Sequence, residues 1–162
     1  MTEEFHVRLA TADDAAIIGY HRARMFDDMG QIPEHLNESF QRRSQERVRE
    51  LLISGEYVGW LASPASTPDK IVAGAGVQLR TVLPHPATDK AFAEGSQALI
   101  INVFTEPDWR RKGLAERLLK EIIEWSREQK IDRLVLHASA GGRGLYERLG
   151  FVETNEMRLQ GL

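Results

Sequence analysis

Apolar and polar positions follow two periods along this chain, and the changes between them divide it into strands and helices. The clearest helical period comes after Gly113, where one face is apolar and the opposite face is charged. The apolar face is formed by Leu114, Ala115, Leu118, Leu119, Ile122 and Ile123. The branched apolar segment Ala98–Phe104 predicts a buried strand before this helix, with a turn at Pro107. Leu134–Leu136 predicts another buried strand after it.

These segments together predict a βαβ unit. A strand joined by one helix to a parallel neighbour makes a right-handed crossover. The helix then begins at the carboxyl end of the first strand, and groups that follow either strand lie at the same edge of the sheet. We therefore expect the functional groups of this unit near Pro107 and just after Leu136.

The remaining pattern predicts a mixed sheet with helices on both faces, in a single α/β domain over residues 1–162. The capping pair Thr11 and Asp14 indicates a helix start. The expected strands are Phe5–Leu9, Tyr57–Ala62, Lys70–Val82 and, at the end, Phe151–Leu159; the expected helices follow Asp14, run over about 38–52 and lie within 139–149. The two strands before residue 84 are expected to form an antiparallel hairpin, and 84–96 to form the longest loop.

Composition excludes several classes of function. The 162 residues are 42% hydrophobic and 28% charged with a net charge of −3, which gives no general attraction to nucleic acid or to an anionic membrane. The chain has no cysteine, so it has no disulfide, thiolate zinc site or cysteine nucleophile, and its five histidines show no metal-ligand spacing. No apolar run reaches the roughly 20 residues that span a bilayer. The acidic stretch Met1–Glu4 is unlike a secretory signal, so we expect a cytoplasmic protein. From the histidine spacing we expect no metal site.

The turn before the long helix concentrates positive charge. Arg110, Arg111 and Lys112 precede Gly113, which has no Cβ, and Ala115 keeps the first helical turn narrow. A helix N-terminus has unpaired N–H groups and a partial positive charge, so it attracts anions, and three cations there are unfavourable unless an anion compensates them. The alternative is an ordinary solvated loop. The pattern favours a site for a pyrophosphate.

Two motifs resemble those of the GNAT superfamily, the acyl-CoA-dependent N-acetyltransferases. Arg110-x-x-Gly113-x-Ala115 is similar to the signature that holds the pyrophosphate of coenzyme A in that family. Leu145–Phe151 is similar to the short helix and following strand that carry the family's tyrosine near the CoA sulfur. The resemblance extends loosely over nearly the whole chain. It implies that acetyl-CoA is the co-substrate and that its pyrophosphate is bound by Arg110, Arg111, Lys112, Gly113, Leu114 and Ala115.

The same resemblance implies a three-layer fold whose twisted mixed sheet splays open between the strands ending at Phe104 and near Leu136. The pantetheine arm would then lie along Val103, Phe104 and Thr105 and pair with their backbone. Ser139 falls where many relatives have an asparagine that contacts the CoA arm. Because serine is shorter, we expect a weaker or water-mediated contact. Residues 26–29 resemble the family's acceptor-side region, where a carboxylate would attract a cationic amine.

Three residues are candidates for the chemistry of transfer. The resemblance makes Tyr146 the acid that protonates the departing CoA thiolate, since a phenol with a pKa of about 10 is protonated at pH 7. The amine must lose a proton before it attacks. Glu106 and His137 are the candidate bases because each follows one of the two parallel strands. Each residue also has a structural interpretation: Tyr146 as a core residue, Glu106 as a surface acid and His137 as a hydrogen-bonded histidine.

The sequence therefore predicts an enzyme that moves an acetyl group from acetyl-CoA to a primary amine by direct attack. The acceptor, whether a small molecule or a peptide amine, is not specified by the sequence. The alternative is a non-catalytic acyl-CoA-binding regulatory or interaction module, and a nucleic-acid-binding protein is disfavoured by the charge. The expected terminal strand would leave a sheet edge through which two copies could form a homodimer.

Overall fold

The computed structural model describes residues 3–162, so Met1 and Thr2 of the acidic N-terminal stretch lie outside the described residues. These described residues form seven strands and four α-helices, with short 3₁₀ turns at Ala12–Asp14 and Pro107–Trp109. In chain order these are β1 (Phe5–Leu9), α1 (Ala15–Asp28), α2 (Glu34–Ser54), β2 (Tyr57–Pro64), β3 (Ala73–Thr81), β4 (His85–Pro86), β5 (Phe92–Ala93), β6 (Ser96–Thr105), α3 (Leu114–Glu128), β7 (Arg133–Leu136) and α4 (Arg143–Arg148).

Five strands form one mixed sheet in the order β1, β2, β3, β6, β7. The first three pairings are antiparallel, and β6 pairs with β7 in parallel through the helix α3. The predicted hairpin and the predicted βαβ unit are both confirmed. A second, two-stranded sheet of β4 and β5 lies within the segment that we expected to be a loop.

Helices cover both faces of the large sheet, as predicted. Successive residues of β2 point to opposite faces, so Trp60 packs in the core under α3 while Leu61 packs in the core under α1 and α2. The α3 side includes fully buried Leu118 and Ile122, and the opposite side includes Ile18. The apolar face that predicted α3 is therefore the face that packs on the sheet, and Leu114 in its first turn is part of it.

The sheet opens between β6 and β7 beyond the fourth paired residue. Parallel pairing ends at Ile100 with Leu136, yet β6 continues to Thr105. Asn102 has a left-handed backbone, with φ of 59°, and the register of β6 against β3 shifts at this point. Such a bulge bends one strand away from its neighbour. The splayed gap of the expected fold is thus present, bordered by residues 101–105 of β6.

The predicted terminal strand Phe151–Leu159 is wrong. Residues 151–162 form no strand, and the last N–H of this segment that donates to the backbone is that of Phe151. The four polar residues at 153–156 interrupt the apolar alternation, and acids and amides are poor strand formers. Two of these side chains contact other groups instead: Glu153 pairs with Arg143, and Glu156 contacts His137. Because the strand is absent, the expected dimer edge at the terminus is absent too.

One smaller expectation changes and another is confirmed. The second helix begins earlier than expected, at Glu34, directly after Pro33. It ends at Ser54 and is capped by Gly55, whose φ of 79° is a left-handed conformation. The first 3₁₀ turn has the predicted capping geometry, since the Asp14 carboxylate accepts a hydrogen bond of 2.7 Å from the N–H of Thr11. Within residues 3–162, no helix has the length and apolar character needed to cross a bilayer.

Candidate active site

The cationic turn presents a row of free backbone donors. Arg111 and Gly113 both have left-handed backbones, with φ of 63° and 76°, and this alternation curls the chain before α3 begins. In the described part of the chain, no N–H from Arg111 to Glu116 donates a hydrogen bond to another protein group. Turns of this kind form concave anion sites, and the helix N-terminus adds its partial positive charge. The turn can hold a multiply charged anion such as a diphosphate.

Arg110 is bound to other protein groups. Its Nη2 lies 2.7 Å from Asp28 Oδ2, at the end of α1, and its Nε donates to the carbonyl of Thr105 over 2.9 Å. The N–H of Arg110 donates to Pro107. The predicted pyrophosphate residue therefore braces the turn against α1 and β6, while Arg111 and Lys112 remain free of ion pairs with described residues.

A cavity of about 530 Å³ lies along the turn and the free edge of β6. It brings together most of the predicted cofactor-binding residues: Val103, Phe104, Thr105, Arg110, Arg111, Gly113, Leu114, Ala115 and Ser139. Trp109 also lines it, packed edge-on against Phe5 with ring centroids 5.9 Å apart. The ammonium groups of Lys70 and Lys112 lie 5.3 and 5.2 Å from the Trp109 ring. We call this space the turn cavity.

A larger groove of about 1050 Å³ lies on the other side of the turn, between α3 and the start of β1. It shares Arg111, Gly113 and Leu114 with the turn cavity. The predicted pyrophosphate residue Lys112 lines this groove and not the turn cavity, and Glu3 and Glu4 also line the groove. The predicted strand-edge residues do not line this groove, so the turn cavity is the better place for a phosphate-bearing arm.

A second cavity of about 600 Å³ occupies the other side of the splayed gap. Tyr146 and His137 line it, together with residues of α1. We call it the gap cavity. The two cavities share four lining residues, which are Met25, Met29, Val103 and Ser139. A ligand lying in the turn cavity can therefore present its end to the gap cavity beside Tyr146.

Tyr146 is half-buried in the wall of the gap cavity. Burial raises the pKa of its phenol, which keeps it protonated at pH 7. Its ring packs edge-on against Phe151, with centroids 6.1 Å apart. The loop before α4 leaves room for this ring, because a Cβ on Gly142 would lie 2.9 Å from Tyr146 Cε2. The absence of a Cβ at Gly142 therefore allows the tyrosine its position.

Ser139 accepts hydrogen bonds from backbone N–H groups of the same loop. Its Oγ accepts a hydrogen bond of 3.2 Å from the N–H of Gly142, and its carbonyl accepts from Gly142 and Arg143. These bonds close the turn that precedes α4. Ser139 lines both cavities, so its hydroxyl lies at their junction.

The two candidate bases are placed differently. His137 lines the gap cavity, and its Nε2 lies 3.1 Å from Glu156 Oε1. Glu106 lines neither cavity, and its Oε1 lies 3.4 Å from Nε2 of buried His21 without the geometry of a hydrogen bond. Burial, assisted by the charge of Arg24, lowers the pKa of His21 to about 4. His21 is therefore a neutral core residue at pH 7.

Three residues that the sequence patterns did not single out meet at the base of the gap cavity. Arg22 Nη1 donates to Asn102 Oδ1 over 2.7 Å, and Asn102 Nδ2 donates to the Tyr57 hydroxyl over 3.1 Å. Burial raises the pKa of Tyr57 to about 12. Arg22 shares a helix face with Met25 and Met29, at spacings of three and seven residues, and this periodicity is the signal that could have identified it.

No group of three or more potential metal ligands occurs in residues 3–162.

Residues 22–151 match the Acetyltransferase (GNAT) family. Since this match covers most of the chain, the protein belongs to that family, and the recognition made from the turn and the Tyr146 motif is confirmed. It is an acyl-CoA-dependent acetyltransferase, and the acyl donor of the family is acetyl-CoA. No curated protein sequence matches the chain.

Solved structures with the same fold agree with this assignment. A GCN5-related N-acetyltransferase from Ralstonia eutropha JMP134 is 26% identical, with a TM-score of 0.83 over 96% of this chain and 97% of that one. A predicted acetyltransferase from Clostridium acetobutylicum, solved with acetyl-CoA, is 25% identical, with a TM-score of 0.78 over 98% of this chain and 96% of that one. A putative acetyl transferase from Pyrococcus furiosus has the same fold at 16% identity, with a TM-score of 0.75 over 98% of this chain and 100% of that one.

The residues present fit acetyl-CoA on structural grounds. The free N–H groups of the turn suit a pyrophosphate, and a Cβ at Gly113 would meet no atom within 4 Å, so the backbone there is open to a ligand. The unpaired side of β6 offers backbone groups to the amides of a pantetheine arm.

Proposed function

We propose that the protein transfers an acetyl group from acetyl-CoA to a primary amine by direct attack of the amine on the thioester. The observation that carries this proposal is the junction of the two cavities at Val103 and Ser139. On one side of the junction lies the free N–H row of the turn, and on the other lies Tyr146. With acetyl-CoA in the turn cavity, its thioester would lie at the junction, and an amine in the gap cavity could attack the thioester carbonyl.

The turn provides the binding energy for the donor. N–H groups from Arg111 to Glu116 would donate to the pyrophosphate, and the charges of Arg111 and Lys112 would offset its own. Residues 103–105 of β6 would hydrogen-bond the pantetheine arm as an added strand does. Acetyl-CoA supplies the activated acetyl group as a thioester.

Tyr146 would act as the general acid. The amine nitrogen forms a bond to the carbonyl carbon, the carbon–sulfur bond breaks, and the phenol donates its proton to the departing sulfur. Burial favours the neutral phenol, which is the form that an acid requires. Of the two candidate bases, His137 has the better placement because it lines the gap cavity, whereas Glu106 does not.

Tyr146→Phe tests the role of the acid. We expect acetyl-CoA binding, measured by isothermal titration, to be unchanged and acetyl transfer, measured by thiol release, to fall by about 10²-fold or more, within the range of general acid catalysis. Tyr20→Phe is the matched control, since Tyr20 lines neither cavity and its hydroxyl accepts a hydrogen bond from Arg24. Equal activity of the two variants would contradict the proposal.

Direct attack has its own test. Labelled CoA is incubated with acetyl-CoA and the enzyme in the absence of an amine, and label exchange is followed. We expect no exchange, because the chain has no cysteine and the proposal contains no acyl-enzyme. Exchange at a rate comparable with turnover would show a covalent acyl-enzyme instead.

We propose further that residues 1–162 act as one domain in the cytoplasm, without membrane or nucleic-acid partners. The continuous sheet from β1 to β7 and the net charge of −3 support this. A homodimer, if it forms, would use an edge other than the expected terminal strand, and β7 has a free side. Sedimentation velocity of the purified chain measures the oligomeric state directly.

A further inference from the structure

We propose that the acceptor is an amine that also carries an anionic oxygen group, a carboxylate or a phosphate, and that Arg22 binds this group. The inference rests on the proposed function, because that function makes the gap cavity the acceptor site. It adds a substrate class and names the residue that selects it.

Arg22 is held in place at the base of the gap cavity. Its Nη1 donates to Asn102 Oδ1 over 2.7 Å, and its guanidinium carbon lies 4.9 Å from the centre of the Phe26 ring. Asn102 is itself fixed by its strand bulge and by its hydrogen bond to the buried Tyr57 hydroxyl. The guanidinium therefore has a defined direction before any ligand arrives, which lowers the entropic cost of binding.

The charge of Arg22 has no partner. It is half-buried, it lines the cavity, and no carboxylate of residues 3–162 forms an ion pair with it. Burial lowers the pKa of the Arg22 guanidinium, because removing a charge from water without a counter-charge is unfavourable. The bond to Asn102 uses one of five N–H donors. A carboxylate or phosphate matches the remaining fork and would offset the buried charge.

The rest of the cavity favours the same class. Arg158 supplies a second positive charge, and Gln31 and Gln78 supply amides. None of the described residues that line the cavity is an aspartate or a glutamate. Glu156 approaches from the exposed terminal segment and contacts His137. A polycationic amine would therefore meet two like charges and no lining carboxylate.

The expected acidic region beside the acceptor does not reverse this balance. Within residues 26–29, Phe26 and Met29 line the gap cavity, whereas Asp28 lines only the turn cavity and pairs with Arg110. Its carboxylate is thus committed to a cation on the donor side. The acceptor side keeps a net positive lining.

Matched pairs of amines test the proposal on the wild-type enzyme. The pairs are β-alanine with β-alaninamide, and O-phosphoethanolamine with ethanolamine, and spermidine represents polycations. We expect kcat/KM for at least one anionic member to exceed that of its neutral partner by about tenfold or more, the effect of one charge-assisted hydrogen bond. The two pairs distinguish carboxylate from phosphate. A preference for the neutral members or for spermidine would overturn the proposal.

Arg22→Gln separates this recognition from catalysis. We expect KM for the preferred anionic amine to rise roughly 10- to 100-fold with little change in kcat. The KM of neutral amines and the Kd of CoA should not change. Arg22→Lys should recover part of the loss, since it keeps the charge but not the planar fork. Arg43→Gln, on the exposed face of α2, is the control. Equal loss for anionic and neutral amines would assign Arg22 a structural role only.

A binding measurement decides the question if no amine of the panel is turned over. The side-chain Nε–H signal of Arg22, assigned by its absence in Arg22→Gln, is followed by NMR in the enzyme saturated with CoA. We expect a saturable shift with inorganic phosphate or acetate and none with chloride at equal ionic strength. No shift with either anion would refute the proposal. Failure of CoA to bind would instead refute the proposed function, so the two failures remain distinct.

Discussion

Arg110 and Asp28 form an ion pair between the cationic turn and the end of α1, with Nη2 and Oδ2 2.7 Å apart. The two residues lie 82 positions apart in the chain, and both line the turn cavity. Because both side chains are about a third or more exposed, the pair contributes little to stability, on the order of 1 kcal/mol at most. Its main effect is on the charge that the turn offers to a ligand.

Asp28→Asn should strengthen CoA binding. The change removes a negative charge from the wall of the turn cavity and leaves the charge of Arg110 uncompensated. We expect the Kd of CoA, measured by isothermal titration, to fall by a few-fold, on the order of 1 kcal/mol. Asp27→Asn is the control, because Asp27 is the adjacent acid and lines neither cavity. Weaker binding by Asp28→Asn would show that Arg110 needs the ion pair to hold the turn.

Gly113→Glu should abolish most of the CoA affinity. Gly55→Glu is a matched control, since both glycines have φ near 80°, and a Cβ on either would meet no atom within 4 Å. Each change should lower the free energy of unfolding by roughly 1–2 kcal/mol, the cost of a left-handed backbone for a residue with a Cβ. Only Gly113→Glu places an acid at the anion site, so only its Kd should rise, by at least about tenfold. Equal Kd values for both variants would contradict the site.

Gly142→Ala should slow acetyl transfer without weakening CoA binding. The new methyl group would lie 2.9 Å from the Tyr146 ring, which must then move away from its position in the gap cavity. We expect kcat to fall by about tenfold or more, since catalysis is sensitive to displacements of about 1 Å. The control is Gly144→Ala, where the nearest atom is 3.7 Å away and belongs to a flexible arginine. A Gly142→Ala enzyme with full activity would remove Tyr146 from the mechanism.

His21 should make the protein less stable in mild acid. Its folded pKa of about 4 lies below the unfolded value of 6.5, so the unfolded state binds the proton first. The stabilisation is complete above pH 6.5 and is lost as the pH falls towards about 4, a change on the order of 3 kcal/mol. Urea unfolding at several pH values in this window measures it. His21→Gln should flatten the dependence, and an unchanged profile would assign the acid sensitivity to other groups.

The fold was predictable wherever burial imposed a period on the sequence. Leu118 and Ile122 define α3 because a two-faced helix must repeat its apolar residues. The segment after Phe151 lacked that constraint, and its opening apolar residues were mistaken for a strand. The bulge at Asn102 was not predictable, since it depends on the pairing of β6 with β3 and on no local pattern. Every element that local periodicity determined was found within a few residues of its bounds.

The site was predictable to the extent that it is built from one continuous segment. Arg110–Ala115 and the loop containing Ser139 and Tyr146 are such segments, and the structure brings them to adjoining cavities. Arg22 was missed because its partners, Asn102 and Tyr57, come from two strands distant in sequence. An arginine on an amphipathic helix resembles any solvated charge until the fold shows what surrounds it.

Trp109 gives the chain an optical signal of its own. Trp60 and Trp125 pack edge-on against each other with centroids 5.4 Å apart, and Trp60 lies in the core. Trp109 instead lines the turn cavity, and the Lys112 ammonium lies 5.2 Å from its ring. A phosphate that drew Lys112 away would change the electric field at the Trp109 indole and leave the other two unchanged. We therefore expect intrinsic fluorescence to follow occupancy of the turn in real time, without a label and at the speed of stopped flow.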